Sequence, residues 1–244
     1  MEETLKKTIK FVAVFAAAAL AFGAAPAATA STPTKACLAL DTGGVDDKSF
    51  NASAWSGAQA AAKADKNVTV KYLAAAADAD YAPNIKKLVD EKCNIIIGVG
   101  FLINNAIVAA AKANPTVNFA IVDQDGEDHG ADGSVYPGTK FANLKPLQFS
   151  TNESAFQAGY VAAGVSKTGK VATYGGLNIP PVTIFMDGFA KGVAHYNKAK
   201  GKTVTVLGWD TAKKDGTFVG GFSDSAKALQ ISKNFEQQGA DVIF

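Results

Sequence analysis

Arginine is missing from this 244-residue chain: all 24 of its basic residues are lysine. Guanidinium is the usual two-pronged partner of carboxylates and phosphates, so its absence argues against amino-acid, dicarboxylate and nucleotide ligands. A compositional habit of the source organism would leave the same gap. Histidine is nearly as scarce. His129 and His195 are the only two, too few for a His-rich metal centre, and both are expected at the surface. Phosphate-cradling GxxxxGK[ST] and nucleophile-elbow GxSxG patterns do not occur. The run GVGFLI (Gly98 to Ile103) lacks the third glycine of the dinucleotide fingerprint. Asp123, Asp125 and Asp128 have the opening of a calcium loop, but no glycine stands at its sixth position and no glutamate at its twelfth. An enzyme of the Rossmann type is therefore the weakest reading, and neither a cofactor nor a metal is implied. A net charge of +2 gives nucleic-acid binding no electrostatic footing.

At 48% hydrophobic and 19% charged residues the composition is that of an ordered chain with a core, long enough for one large domain or two lobes. Residues 1–30 have the form of an export signal. Lys6, Lys7 and Lys10 precede an apolar run from Phe11 to Phe22, and Ala28-Thr29-Ala30 offers the small residues of a cleavage site. The apolar run is short for a membrane span, although retention as an N-terminal anchor is the alternative. Only two cysteines follow. Cys37 opens the first predicted strand and Cys93 the run to Val99. In a doubly wound sheet of order 2-1-3 those strands are neighbours, so an exported chain admits a Cys37–Cys93 disulfide; two buried free thiols are the other possibility.

Downstream of the leader, apolar runs alternate with helical patterns. The expected strands are Ala36–Leu40, Val68–Leu73, Asn94–Val99 and Val117–Val122. The helices between them are Ser49–Ala64 (with Ser49 as N-cap), Ala79–Lys92 and Leu102–Ala113. This βα alternation calls for a parallel sheet with helices on both faces. A loop from Gln124 to about Pro146 is too long for an ordinary connection. A short strand, Leu147–Ser150, then leads into a second set: helix 152–166, strand Val171–Tyr174, helix Val182–Asn197, strand Thr203–Trp209, helix Ser223–Gln238 and the run Val242 to Phe244. The division is thus 1–30 leader, 31–149 first α/β lobe and 150–244 second lobe.

The stretch DTGGVDDKSFN, Asp41 to Asn51, lies on the turn between the first strand and its helix. In an open parallel sheet such turns face the ligand crevice. Phe50 can stack on a flat ring and Asn51 can both donate and accept; the bland reading makes Phe50 a helix staple and Asn51 a first-turn surface residue. Asp41 and Asp123 end two strands and point to the same crevice, where a carboxylate accepts from hydroxyls or ring N–H groups. Asp46 and Asp47 can do the same or merely brace the turn. Gly100 and Phe101, with Gly98, line another strand-to-helix turn, where backbone can approach a ligand closely. Glu153 is placed to cap its helix or hold a hinge.

DTGGVDDKSFNASAWSGAQAA resembles the first strand-turn-helix of the basic membrane protein family, the nucleoside-type substrate-binding proteins of bacterial ABC importers. FAIVDQ, QFSTNESAFQAGYVAA, YGGLNIPPVTIFMDGFAKGV and GGFSDSAKALQISKNFEQQGADVIF resemble later segments of that family, in order. Together they cover Lys35 to Phe244. The resemblance implies a two-lobed periplasmic-binding-protein-like fold of type I, each lobe a doubly wound parallel sheet. It also implies a nucleoside ligand, permease subunits of an ABC transporter as partners, and a place outside the cytoplasmic membrane. By resemblance Asp123 reads the base, Phe185 supplies the second aromatic face opposite Phe50, and Asp224 is a turn residue at the ligand, with helix capping as its alternative. Family members run on beyond the position of Phe244, so the second lobe is expected to be incomplete here. Many are lipoproteins, but Thr34-Lys35-Ala36 before Cys37 is no lipobox, which argues against lipidation there. A sugar receptor or a sensor feeding a membrane kinase would share the same fold.

Overall fold

The structure is a computed structural model that describes residues 32–129 and 141–244. The expected leader and the middle of the long loop lie outside the described residues. Thr34–Phe244 forms one compact unit that holds two parallel sheets.

The first sheet is built from strands β1 (Thr34–Leu40), β2 (Val68–Ala74), β3 (Ile95–Val99), β4 (Asn118–Val122) and β5 (Leu144–Leu147), in the order β2-β1-β3-β4-β5. Its helices are α1 (Phe50–Ala64), α2 (Tyr81–Asp90, entered through a 3-10 turn at Asp78–Asp80) and α3 (Asn104–Ala113). Successive residues of β1 face opposite layers, as strand geometry requires. Cys37 and Ala39 pack with Ile85, Leu88, Ile107 and Phe119 beneath α2 and α3. Leu38 and Leu40 pack with Val99, Phe50 and Trp55 beneath α1. Burial on both faces is why these strands are apolar runs rather than alternating ones. Cys37 and Cys93 are joined by a disulfide across a sequence separation of 56, a closure worth roughly 4 kcal/mol on chain-entropy grounds.

The strand expected at Leu147–Ser150 lies three residues earlier, at Leu144–Leu147. Pro146 disguised it, since proline argues against a central strand; among the described residues β5 is an edge strand bonded to β4 alone, where proline is tolerated.

The second sheet has the order β10-β6-β7, from β6 (Lys170–Ala172), β7 (Thr205–Leu207) and β10 (Val242–Ile243). Helices α4 (Thr151–Val165) and α5 (Pro180–Lys200) cover one face and α6 (Ser225–Gln237) the other. Helix α5 begins earlier than expected because Pro180 and Pro181 occupy its first positions, where no N–H is needed. Helices α4 and α5 meet backbone to backbone: a Cβ on Gly159 would stand 2.0 Å from the Phe189 carbonyl oxygen, and one on Gly192 would stand 2.0 Å from that of Phe156. The strand expected over Thr203–Trp209 is broken at Gly208, whose φ of 85° turns the chain. Beyond it β8 (Trp209–Asp210) pairs antiparallel with β9 (Asp215–Gly216). Among the described residues no helix is long and apolar enough to cross a membrane.

Candidate functional site

At their carboxyl ends the strands of the first sheet hand over to one another in steps. The Asp41 N–H donates to the Val99 carbonyl, the Gly100 N–H to that of Val122, and the Asp123 N–H to that of Leu147. Asp41, Gly100 and Asp123 thereby stand along one rim. A cavity of about 410 Å³ opens there, between that rim and the ends of the second sheet. This size lies within the range of small-molecule sites. Asp41, Phe50, Asn51, Gly100, Phe101 and Asp123 line it from the first sheet, and Phe185 lines it from α5. Seven of the eight ligand-site residues expected from the sequence therefore meet in one cavity.

Their roles differ. Phe50 belongs to both readings: it packs on the Leu38–Leu40–Val99 layer and also faces the cavity. Asn51 is buried, and its side-chain amide donates to the carbonyls of Asp41 (3.2 Å) and Gly44 (3.0 Å). It is not a surface residue: its N–H₂ ties the turn together, while the residue lines the cavity. Asp47, not Ser49, caps α1, with its carboxylate accepting from the N–H groups of Ser49, Asn51 and Ala52. Carboxylate acceptance at a helix start is doubly favourable, satisfying free N–H groups and meeting the positive end of the dipole.

The Asp41 carboxylate is also engaged. It accepts from the Tyr81 hydroxyl, from the Thr42 N–H (2.6 Å) and from the Leu102 N–H (3.2 Å). Burial raises its pKa, with those bonds pulling the other way. The Tyr81 hydroxyl is pushed far above its ordinary range by burial and by the adjoining carboxylate. Gly100 lies against this group with a φ of +113°, and a Cβ there would fall 2.4 Å from Asp41 Oδ2. Glycine is required on both counts.

Asp123 is the exception. Its carboxylate has no hydrogen-bond or ion-pair partner among the described residues, and burial alone pushes its pKa up to about 6. Its φ of 65° is uncommon outside glycine, and such outliers gather at functional sites. Among the described residues no lysine lines the cavity.

Asp224 lies outside the cavity lining. It is exposed and caps α6, accepting from the Lys227 N–H at 2.9 Å. His129 departs from the expected surface position: it is largely buried, 2.8 Å from Asp125 through Nε2, with its ring beside that of Phe101. His195 is exposed. Sequence reasoning missed Tyr81, and with it the second-sheet lining of Thr173, Gly175, Gly176, Met186 and Phe222. The Gly-Gly pair after an apolar run was the available signal for the latter group. Nothing local marked Tyr81, which acts on a residue 40 positions away.

Residues 35–244 match the family model described as Bmp, ABC transporter substrate-binding protein PnrA-like. The chain is similar to the ABC transporter nucleoside-binding protein BmpA of Lactococcus lactis subsp. cremoris (strain MG1363), with 33% identity over 216 residues, 87% of this chain and 55% of that protein. It is similar to Basic membrane protein D of Borreliella burgdorferi (strain JD1), with 32% identity over 203 residues, 83% of this chain and 52% of that protein. A solved solute-binding protein of an ABC transporter system from Aeropyrum pernix K1 superposes with a TM-score of 0.72 at 27% identity, covering 86% of this chain and 54% of that one. An ABC transporter periplasmic solute-binding protein from Actinobacillus succinogenes 130z, with bound D-allose, shares the fold at a TM-score of 0.58 and 18% identity, covering 86% of this chain and 68% of that one. The chain spans about half the length of the curated relatives it matches. It belongs to the PnrA-like family of ABC transporter substrate-binding proteins, a family of binding proteins and not of enzymes, and has their periplasmic-binding-protein-like α/β fold.

Proposed function

We propose that this protein captures a nucleoside, a purine nucleoside first of all, in the cavity between its two sheets. From there it delivers the ligand to the permease of an ABC importer at the outer face of the cytoplasmic membrane. The observation that carries the reading is the pairing of Phe50 and Phe185 on one cavity with Asp123, whose carboxylate is unspent. Two aromatic rings favour a flat ligand, through stacking and burial. An ionised carboxylate is acceptor-only, so the ligand must present donors, as ribose hydroxyls and purine N–H groups do. A wall that holds Asp41, Asp47 and Asp123 and, among the described residues, no lysine disfavours phosphates, which separates nucleosides from nucleotides. Closure of the two lobes around the ligand would then form the surface that a permease reads. The export-type leader and the name of the Lactococcus relative support the same reading.

Calorimetric titration of the full chain with guanosine, inosine, adenosine, cytidine, uridine and ribose tests it. Saturable binding of a purine nucleoside, weakened at least about tenfold in Phe50→Ala and again in Phe185→Ala, is expected from the loss of base stacking, about 1–3 kcal/mol per base. Binding of ribose alone would replace the nucleoside reading with a sugar receptor.

A further inference from the structure

Two buried side-chain polar atoms among the described residues have no hydrogen-bond partner: Asn104 Oδ1 and Thr173 Oγ1. Asn104 lies outside the cavity lining, and its amide nitrogen is bonded to the Glu127 carbonyl at 2.6 Å. Thr173 is different. It is fully buried, it extends β6 by donating its N–H to the Leu207 carbonyl at 3.0 Å, and it lines the cavity.

Strand alternation fixes the side on which its hydroxyl lies. Val171 packs with Phe189 and Val193 of α5, whereas Ala172 and Tyr174 pack with Ile231 and Phe235 of α6. Thr173 falls on the side of Val171, facing the helix that brings Phe185 and Met186 to the cavity. A buried position on such a wall is served equally well in volume by valine, without a hydroxyl to desolvate. Burying the hydroxyl with no partner is unfavourable, so its presence on the cavity wall points to a partner that arrives from outside the chain.

Resting on the nucleoside reading above, we propose that the Thr173 hydroxyl is a ligand-binding group contributed by the second sheet, which hydrogen-bonds an uncharged polar atom of the bound nucleoside. Asp123 can only accept when ionised, whereas a hydroxyl both donates and accepts. The two sheets therefore offer complementary polar contacts: a carboxylate acceptor from the first and an adaptable hydroxyl from the second. Atoms that Asp123 cannot serve, such as an unprotonated ring nitrogen, fall to Thr173.

The test compares wild type, Thr173→Val and Thr173→Ser in the full chain, by titration with guanosine and by thermal melting without ligand. Thr173→Val is expected to bind guanosine about tenfold more weakly, the loss of one hydrogen bond. Its unliganded melting temperature should be unchanged or higher, because a desolvated hydroxyl has been removed. Thr173→Ser keeps the hydroxyl and should stay within about threefold of wild-type affinity. Wild-type affinity in Thr173→Val overturns the assignment and leaves the nucleoside reading intact. A lowered unliganded melting temperature with unchanged affinity does the same, and marks the hydroxyl as bonded inside the protein. If wild type takes up no nucleoside at all, both readings fall together.

Discussion

Asp41 and Asp123 occupy matching places, one residue past the ends of β1 and β4 on the same rim, yet they do opposite work. The Asp41 carboxylate is filled with bonds from Tyr81, Thr42 and Leu102, and so it fastens three segments of the first sheet together. The Asp123 carboxylate meets none among the described residues and sits in a left-handed backbone conformation. One carboxylate builds the rim and the other is left for whatever enters the cavity. Burial raises both pKa values, so burial alone does not tell a structural carboxylate from an available one. The hydrogen-bond inventory does.

The contrast can be broken most forcefully at Gly100. A side chain there would collide with the Asp41 carboxylate while its backbone stays at a φ of +113°. Gly100→Ala is therefore expected to lower unfolding free energy by about 3 kcal/mol or more, combining backbone strain with overpacking. Urea denaturation measures it, and a loss under about 1 kcal/mol would mean that Asp41 does not hold the rim.

Asp41→Asn is the next largest change. Thr42 donates to one carboxylate oxygen and Leu102 to the other, so whichever way an asparagine turns, its N–H₂ faces an N–H. A loss of about 2 kcal/mol is expected, with Tyr81→Phe losing about 1 kcal/mol by the same denaturation assay. Equal stability of Asp41→Asn and wild type would contradict the structural role.

Asp123→Asn should move in the other direction and by the smallest amount. Below about pH 4 the carboxyl is protonated in both the folded and unfolded chain and contributes nothing to the balance. As pH rises from there to about 6, the unfolded chain releases its proton first, so ionisation increasingly opposes folding, and above that the penalty is constant. Asparagine removes it. The melting temperature of Asp123→Asn should exceed that of wild type by a few degrees at pH 7.5 and match it at pH 4, while nucleoside affinity falls. Lower stability at pH 7.5 would show that the carboxylate has a partner after all.

Much of this was legible in the residues. Apolar runs such as Ile95–Val99, each bounded by turn residues, marked the strands of the first sheet, and proline and glycine marked most breaks. The misplaced ends have local causes: Pro146 hid β5 because an edge strand tolerates what a central one does not, and Gly208 split an apparently continuous strand. The rim placement of Asp41, Gly100 and Asp123 followed from strand ends, whereas that of Phe50 leaned on the family resemblance as well. The capping duty of Asp47 did not, because Ser49 satisfied the same local pattern. Asp224 matched a ligand-site pattern and a cap pattern equally well, and the structure gives it the cap.

The order of strands and helices, the parallel sheets and the rim on which the cavity lies can be read from the residues. Those properties arise from periodicity and breakers a few residues apart. Which polar groups are spent and which remain open emerges only in the folded chain. Tyr81 reaches Asp41 from 40 positions away, Asn51 turns its amide inward, and Asp123 and Thr173 find no side-chain partner among the described residues. Hydrogen-bond satisfaction is a property of neighbours in space, and packing brings those neighbours together from distant parts of the chain.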